Sequence, residues 1–194
     1  MSERREVIVV RSLAESDLGI FSAHRGSATS KQRAIALTTP VARVLLSQRL
    51  YTLKGSRMDV ICVYGQNGSR ELRHIGKVGK NWRLGGQKIE ENACAFLDSK
   101  DFVLIRTVAQ NDGDRPLLMT FVGRQRERLL HAGIVASLEG RFTDSTAILE
   151  HGSDTFEAVA EAFPSVPSYL AVGQPADVED PDDGFARAVA GDGR

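Results

Sequence analysis

The chain has 194 residues, 42% hydrophobic, 26% charged and 6% aromatic, which suits one sizeable globular core and excludes collagen-like, disordered and disulfide-stapled classes. No apolar run approaches the roughly 18 residues that a membrane span needs. Net charge is zero but sharply divided: residues 1–100 hold 17 Lys+Arg against 9 Asp+Glu, a balance of +8, and residues 101–194 hold 8 against 16, a balance of −8. Such halves point to a polyanion-binding region followed by an acidic appendage, the plain alternative being two solvated faces that neutralise each other.

Met1 to Arg5 leads directly into Glu6-Val-Ile-Val-Val-Arg11, a β-branched apolar run that predicts a strand instead of a signal-peptide core, so a cytoplasmic protein is expected. Ser12 to Ser30 has little periodicity and reads as an exposed loop. Ile35 to Leu37 resumes the apolar pattern, and Thr39-Pro40 then signals a helix start, because Thr caps free amides and Pro fits the first turn. Val41, Val44 and Leu45 carry that short helix to about Gln48. Met58 to Tyr64 predicts a second strand, Gly65-Gln-Asn-Gly68 a hairpin turn, and Glu71 to Ile75 its partner. The glycine-punctuated basic segment Gly76 to Lys88, which holds Trp82, reads as a loop. Asn92 to Leu97, Phe102 to Val108 and Pro116 to Val122 are apolar runs of strand length, with a turn at Asn111-Asp-Gly-Asp114. Six or seven short strands punctuated by turns, with one early helix and no crossover helices, predict a barrel or sandwich. Beyond Arg124, Leu129, Leu130, Ile134 and Leu138 suit an amphipathic helix, and Thr155 to Phe163 suits another that Pro164 ends. Pro175 to Arg194 is acidic, poor in large apolar residues and expected to be disordered.

Catalytic signatures are scarce. There is no HExxH or GxSxG, and Gly76-Lys-Val-Gly-Lys-Asn81 lacks the spacing and the Ser/Thr of a phosphate-binding loop. His24, His74, His131 and His151 stand in separate segments, and Cys62 and Cys94 lack metal or redox spacing, so both thiols read as reduced core residues. The nearest approach to a metal-dependent nuclease is Asp98-Ser-Lys100 with Asp59 as a distant second carboxylate. Neither a metal nor any other cofactor is expected.

Two basic segments carry more. The first runs from His24 and Arg25 to Ser30, Lys31, Gln32 and Arg33; the second holds Arg73, His74, Lys77, Lys80, Asn81, Trp82 and Arg83, with Gln87 and Lys88 beyond. Lys and Arg suit phosphates, while the forks of Arg, Asn and Gln make bidentate bonds to base edges in the major groove. Each segment also has a bland reading as a solvated loop, and Trp82 reads either as an anchor on the barrel or as a ring at the nucleic-acid surface.

The order Val9-Val-Arg-Ser-Leu-Ala-Glu-Ser-Asp17-Leu-Gly19, then His24, then Arg33-Ala-Ile-Ala-Leu-Thr-Thr-Pro40 and a helix resembles the DNA-binding pseudobarrel (B3-like) domain at the amino terminus of EcoRII-type restriction endonucleases, a family that includes plant transcription factors. Ser69-Arg70-Glu-Leu-Arg73-His74-Ile-Gly76-Lys77, the basic segment with Trp82-Arg83, and the strand Phe102 to Arg106 follow in the same order, so the resemblance covers residues 6 to 122. It implies a mainly β, seven-stranded open pseudobarrel over residues 1–122 with one or two short helices; beyond it, apolar spacing and composition predict a helical extension over 123–174 and an acidic disordered tail over 175–194. It further implies binding of double-stranded DNA in the major groove by two arms, Ser16 to Arg33 and Arg73 to Lys88, in a bacterial restriction-modification or defence system. The first arm is longer here than in that family and the nuclease domain is absent, so cleavage is expected from a separate nuclease subunit or not at all. A metal-dependent nuclease subunit using Asp59, Asp98 and Lys100, and a protein-interaction module with an acidic tail, are the alternatives.

Overall fold

The computed structural model describes residues 6–24, 34–46, 57–64, 68–86, 89, 94–107 and 116–163. Its elements in chain order are β1 (Val7–Ser12), α1 (Glu15–Leu18), β2 (Ile35–Leu37), α2 (Thr39–Leu45), β3 (Arg57–Tyr64), β4 (Arg70–Val78), β5 (Asn81–Gly86), β6 (Phe102–Thr107), β7 (Leu117–Val122), α3 (Arg128–Ser137), β8 (Thr146–Glu150) and α4 (Asp154–Ala160). The eight strands form one open, curled half-barrel sheet in the order β2-β5-β4-β3-β7-β6-β1-β8. Every neighbouring pair is antiparallel except β3 and β7, which run parallel with Cys62, Val63 and Tyr64 opposite Leu117, Leu118 and Met119. The parallel seam divides the sheet into a half made of residues 35–86 and a half made by both flanking parts of the chain.

Alternation of side chains across the pleat decides what each strand buries. Val9, Val60, Ile75, Trp82, Leu84, Ile105 and Met119 point to the inner side of the curl, where Val41, Ala42 and Leu45 of α2 close it. Ile8, Val10, Leu104 and Leu118 point to the other side, where α3 and α4 bury Ile134, Phe156 and Val159 against them. β1 is therefore apolar on both faces, which is why Val-Ile-Val-Val runs without alternation.

Several expectations change at this level. The sheet has eight strands, and β8, inside the stretch expected to be helical, pairs with β1 through Val9 opposite Ile148. Ser12 to Ser30 is no exposed loop as far as His24: Leu13, Leu18, Ile20 and Phe21 are buried, and a 3-10 turn covers Ser22–His24. Buried Asp17 explains this order, for its carboxylate accepts from the Arg11 guanidinium at 2.9 Å and from the amides of Ala14 and Ala36 at 3.0 Å each, tying β1, α1 and β2 together. Cys94 to Leu97 forms a turn, with the Leu97 amide donating to the Cys94 carbonyl at 3.2 Å, in place of the expected strand. Gly76 to Lys88 is no loop over its described part but the end of β4, a turn at Gly79-Lys80 and β5. Thr38, one residue before the expected Thr39, caps α2 by accepting from the Val41 amide at 3.5 Å. Helices α3 and α4 lie where the apolar spacing puts them. The turn residues Gly65 to Asn67, the turn at Asn111 to Asp114 and the acidic tail at Pro175 to Arg194 lie outside the described residues.

Candidate nucleic-acid interface

β4 and β5 form an antiparallel hairpin in which Lys77 faces Trp82 and Val78 faces Asn81 across the Gly79-Lys80 turn. Gly79 takes φ +62°, a left-handed conformation that suits glycine. β2 adds along the other edge of β5, placing Ala36 opposite Arg83 and Leu37 opposite Trp82. The inward row Ile75, Trp82 and Leu84 holds the hairpin on the core, while the outward row presents Leu72, His74, Asn81 and Arg83. Arg83 stands between Gly76 on β4 and Ala36 on β2, so no large side chain crowds it from either neighbouring strand.

The second basic segment thus divides by direction. Lys77, Lys80 and Asn81 are exposed at the turn, Arg83 is half-buried, and the Lys77 ammonium lies 5.8 Å from the centre of the Trp82 ring. Trp82 is 2% exposed and takes the anchoring role, not that of a ring at the surface. Arg73 also points inward: its guanidinium meets the Tyr64 hydroxyl, donates to Glu71 Oε2 at 2.6 Å and stacks over the Tyr64 ring. Its charge is spent inside the protein, so Arg73 and Trp82 brace the hairpin from beneath. His74 is half-buried over Gly85, where even a methyl group would come within 2.8 Å of His74 Nε2. Burial and the neighbouring Arg57 charge push its pKa down, leaving the imidazole neutral at pH 7 and suited to hydrogen bonding instead of phosphate neutralisation.

Two cations outside the sequence-derived set share this region. Arg57 and Arg70 are exposed on the outward rows of β3 and β4, and only the period-two alternation of those strands reveals it. Arg57 pairs with Asp59 at 3.3 Å, whereas Arg70, Lys80 and Arg83 have no acidic partner among the described residues.

Of the first basic segment, His24 is described: it ends the 3-10 turn with its ring edge-on to Phe21 at 6.3 Å. Arg25, Ser30, Lys31, Gln32, Arg33, Gln87 and Lys88 lie outside the described residues. The nuclease alternative finds no assembled site among the described residues. Asp59, near the start of β3, is bonded to Arg57, while Asp98, before β6, is bonded to Arg124 at 3.1 Å. The register of β3, β7 and β6 puts those carboxylates at opposite ends of the sheet, and no group of three His, Cys, Asp or Glu fit for a metal occurs among the described residues. Cys62 and Cys94 are both buried and form no disulfide. No helix among the described residues is long and apolar enough to cross a membrane.

In fold the chain is similar to the N-terminal domain of Helicobacter pylori LlaJI.R1, at 10% identity over 74% of this chain and 97% of that one, with a TM-score of 0.48. It is likewise similar to the B3 domain of the UbaLAI restriction endonuclease, solved with cognate DNA, at 9% identity over 77% of this chain and 89% of that one, again with a TM-score of 0.48. No family model matches the sequence, and neither does any curated protein.

Proposed function

We propose that the protein binds double-stranded DNA across the outward face of β2, β5 and β4 and reads a short sequence or a modified base there without cutting it. The observation that carries this reading is the set of basic side chains, Arg70, Lys80 and Arg83, presented by the outward rows and turn of one hairpin with no acidic partner among the described residues, with Lys77 exposed beside the turn on the Trp82 side. β5 spans about 17 Å at a rise of about 3.3 Å per residue, enough to lie along a major groove about 12 Å wide with one basic segment at each end. At one end stands the Gly79-Lys80 turn. At the other the chain passes from Gly86 to Gln87 and Lys88, and residues 25–33 enter β2. In this reading Lys77 and Lys80 hold phosphates, and Arg83 and Asn81 reach base edges. His24, Arg25, Ser30, Lys31, Gln32 and Arg33 form the facing arm, with His74 as a neutral donor between the two. A place in a restriction or defence system, with a separate nuclease subunit, follows from the resemblance in sequence layout.

A selection from randomised duplexes, followed by titration of single variants, tests this. Arg83→Ala is expected to lose about 1–3 kcal/mol of specific binding and to relax discrimination at one base pair. Lys77→Ala and Lys80→Ala are expected to weaken all sequences alike. Native affinity in all three variants would overturn the assignment of this face.

A further inference from the structure

We propose that α3 is the interface of a two-fold dimer of this chain. The helix buries Ile134, with Leu138 just past its end, against the outer side of the sheet, and His131 packs its ring on Phe102, tilted by 38° with centres 4.7 Å apart. Its opposite side carries Leu129, Ala132, Gly133 and Ala136, spaced three and four apart and all exposed, with Leu129 at 89%. Val135 on the flank is 48% exposed. Between Arg128 and Glu139 the sequence has no carboxylate, lysine or arginine. A helix apolar on both sides is ordinarily covered on both, and the described residues cover this one on one side.

The exposed stripe is complementary to itself. It is large at one end, where Leu129 projects, and small at the other, where Ala136 and then Gly140 leave room; a methyl built on Gly133 or Gly140 meets nothing within 4 Å. Turning a second copy antiparallel about a two-fold axis seats each Leu129 over the partner's Ala136–Gly140 end. The same register sets Arg128 against the partner's Glu139, twice. Both residues are exposed and neither has an ion-pair partner among the described residues, whereas nearby Arg124 is paired to Asp98 at 3.1 Å and Arg126 to Glu127 at 3.5 Å. A two-fold axis demands this reciprocity of size and charge from a single surface. The helix packs on the half of the sheet remote from β2, β5 and β4, so the dimer leaves both copies of that face open.

Ten residues of helix span about 15 Å, which limits the contact to the small, reversible class of interfaces. The test is sedimentation equilibrium of the full chain over a range of concentrations, without DNA, so its outcome is independent of the DNA-binding proposal. The native chain is expected to show a monomer–dimer equilibrium that Leu129→Glu weakens about tenfold or more. Arg128→Glu and Glu139→Arg are each expected to weaken it, and the double exchange to restore it. All these positions are exposed, so melting temperatures should stay at the native value, which thermal scans verify. A native chain that stays monomeric, Leu129→Glu associating like the native chain, or a double exchange that fails to rescue, would each overturn the proposal. A monomeric Leu129→Cys variant whose new thiol is shielded from maleimide would overturn it in favour of cover by residues 164–194.

Discussion

Trp82 lies under the hairpin with Ile75 and Leu84 beside it, and its side chain is the largest fully buried one among the described residues. Trp82→Ala is expected to lose about 3–5 kcal/mol of stability in urea unfolding, while Lys77→Ala, on the exposed side of the same ring, keeps the native midpoint. A second test at this scale concerns Cys62, whose pKa burial pushes from 9.0 up to about 12. An unfolded thiol releases its proton near pH 9, whereas the folded one holds it, so alkali favours unfolding. Stability is full below pH 9 and falls as pH rises towards about 12, by up to about 1.4 kcal/mol per pH unit. The Tyr64 phenol, also pushed up by burial, acts in the same direction above pH 10. Urea midpoints from pH 8 to 11 are expected to show this limb, and Cys62→Ala to make it shallower.

At the scale of elements, the carboxy-terminal segment belongs to the sheet's stability. β8 pairs with β1, and α3 and α4 cover Ile8, Val10, Leu104 and Leu118. A chain ended at Val122 is therefore expected to aggregate instead of giving a cooperative melt, as circular dichroism during heating would report. The β3–β4 hairpin was legible in the sequence because Asn67-Gly68 sits between the β-branched run Val60 to Val63 and the alternating run Glu71 to Ile75, and α2 was legible from its Thr and Pro. β8 was not, since Thr-Ala-Ile-Leu-Glu is short and neutral in propensity and becomes a strand because β1 offers it an edge. Gly76, Gly79, Gly85 and Gly86 made the basic segment look like a loop, although Trp82 and Leu84 alternate with Asn81 and Arg83 as a strand requires. Gly86 has φ +141° and leaves 3.2 Å between a would-be methyl and Arg73 Cγ, a demand of packing that spacing alone does not announce. The candidate site was found by charge, and the directions of Arg73 and Trp82 came only with register.

For the whole molecule, zero net charge conceals a basic half of the sequence, +8 over residues 1–100, whose part in binding ionic strength should expose. With about six phosphates neutralised, the logarithm of the DNA association constant is expected to fall against the logarithm of salt with a slope of about −5. A flat plot from low to physiological salt would contradict binding by the basic half. The order of strands has a different consequence, one that belongs to synthesis. β1 is made before either of its two neighbours in the sheet, β6 and β8, which are completed only at Thr107 and Glu150. At ribosomal rates of about 5–20 residues per second, a strand apolar on both faces waits roughly 7 to 28 s for its second partner. For that interval Val7 to Val10 is an adhesive segment on the nascent chain, and whatever binds it meanwhile, chaperone or aggregate, sets the yield of folded protein.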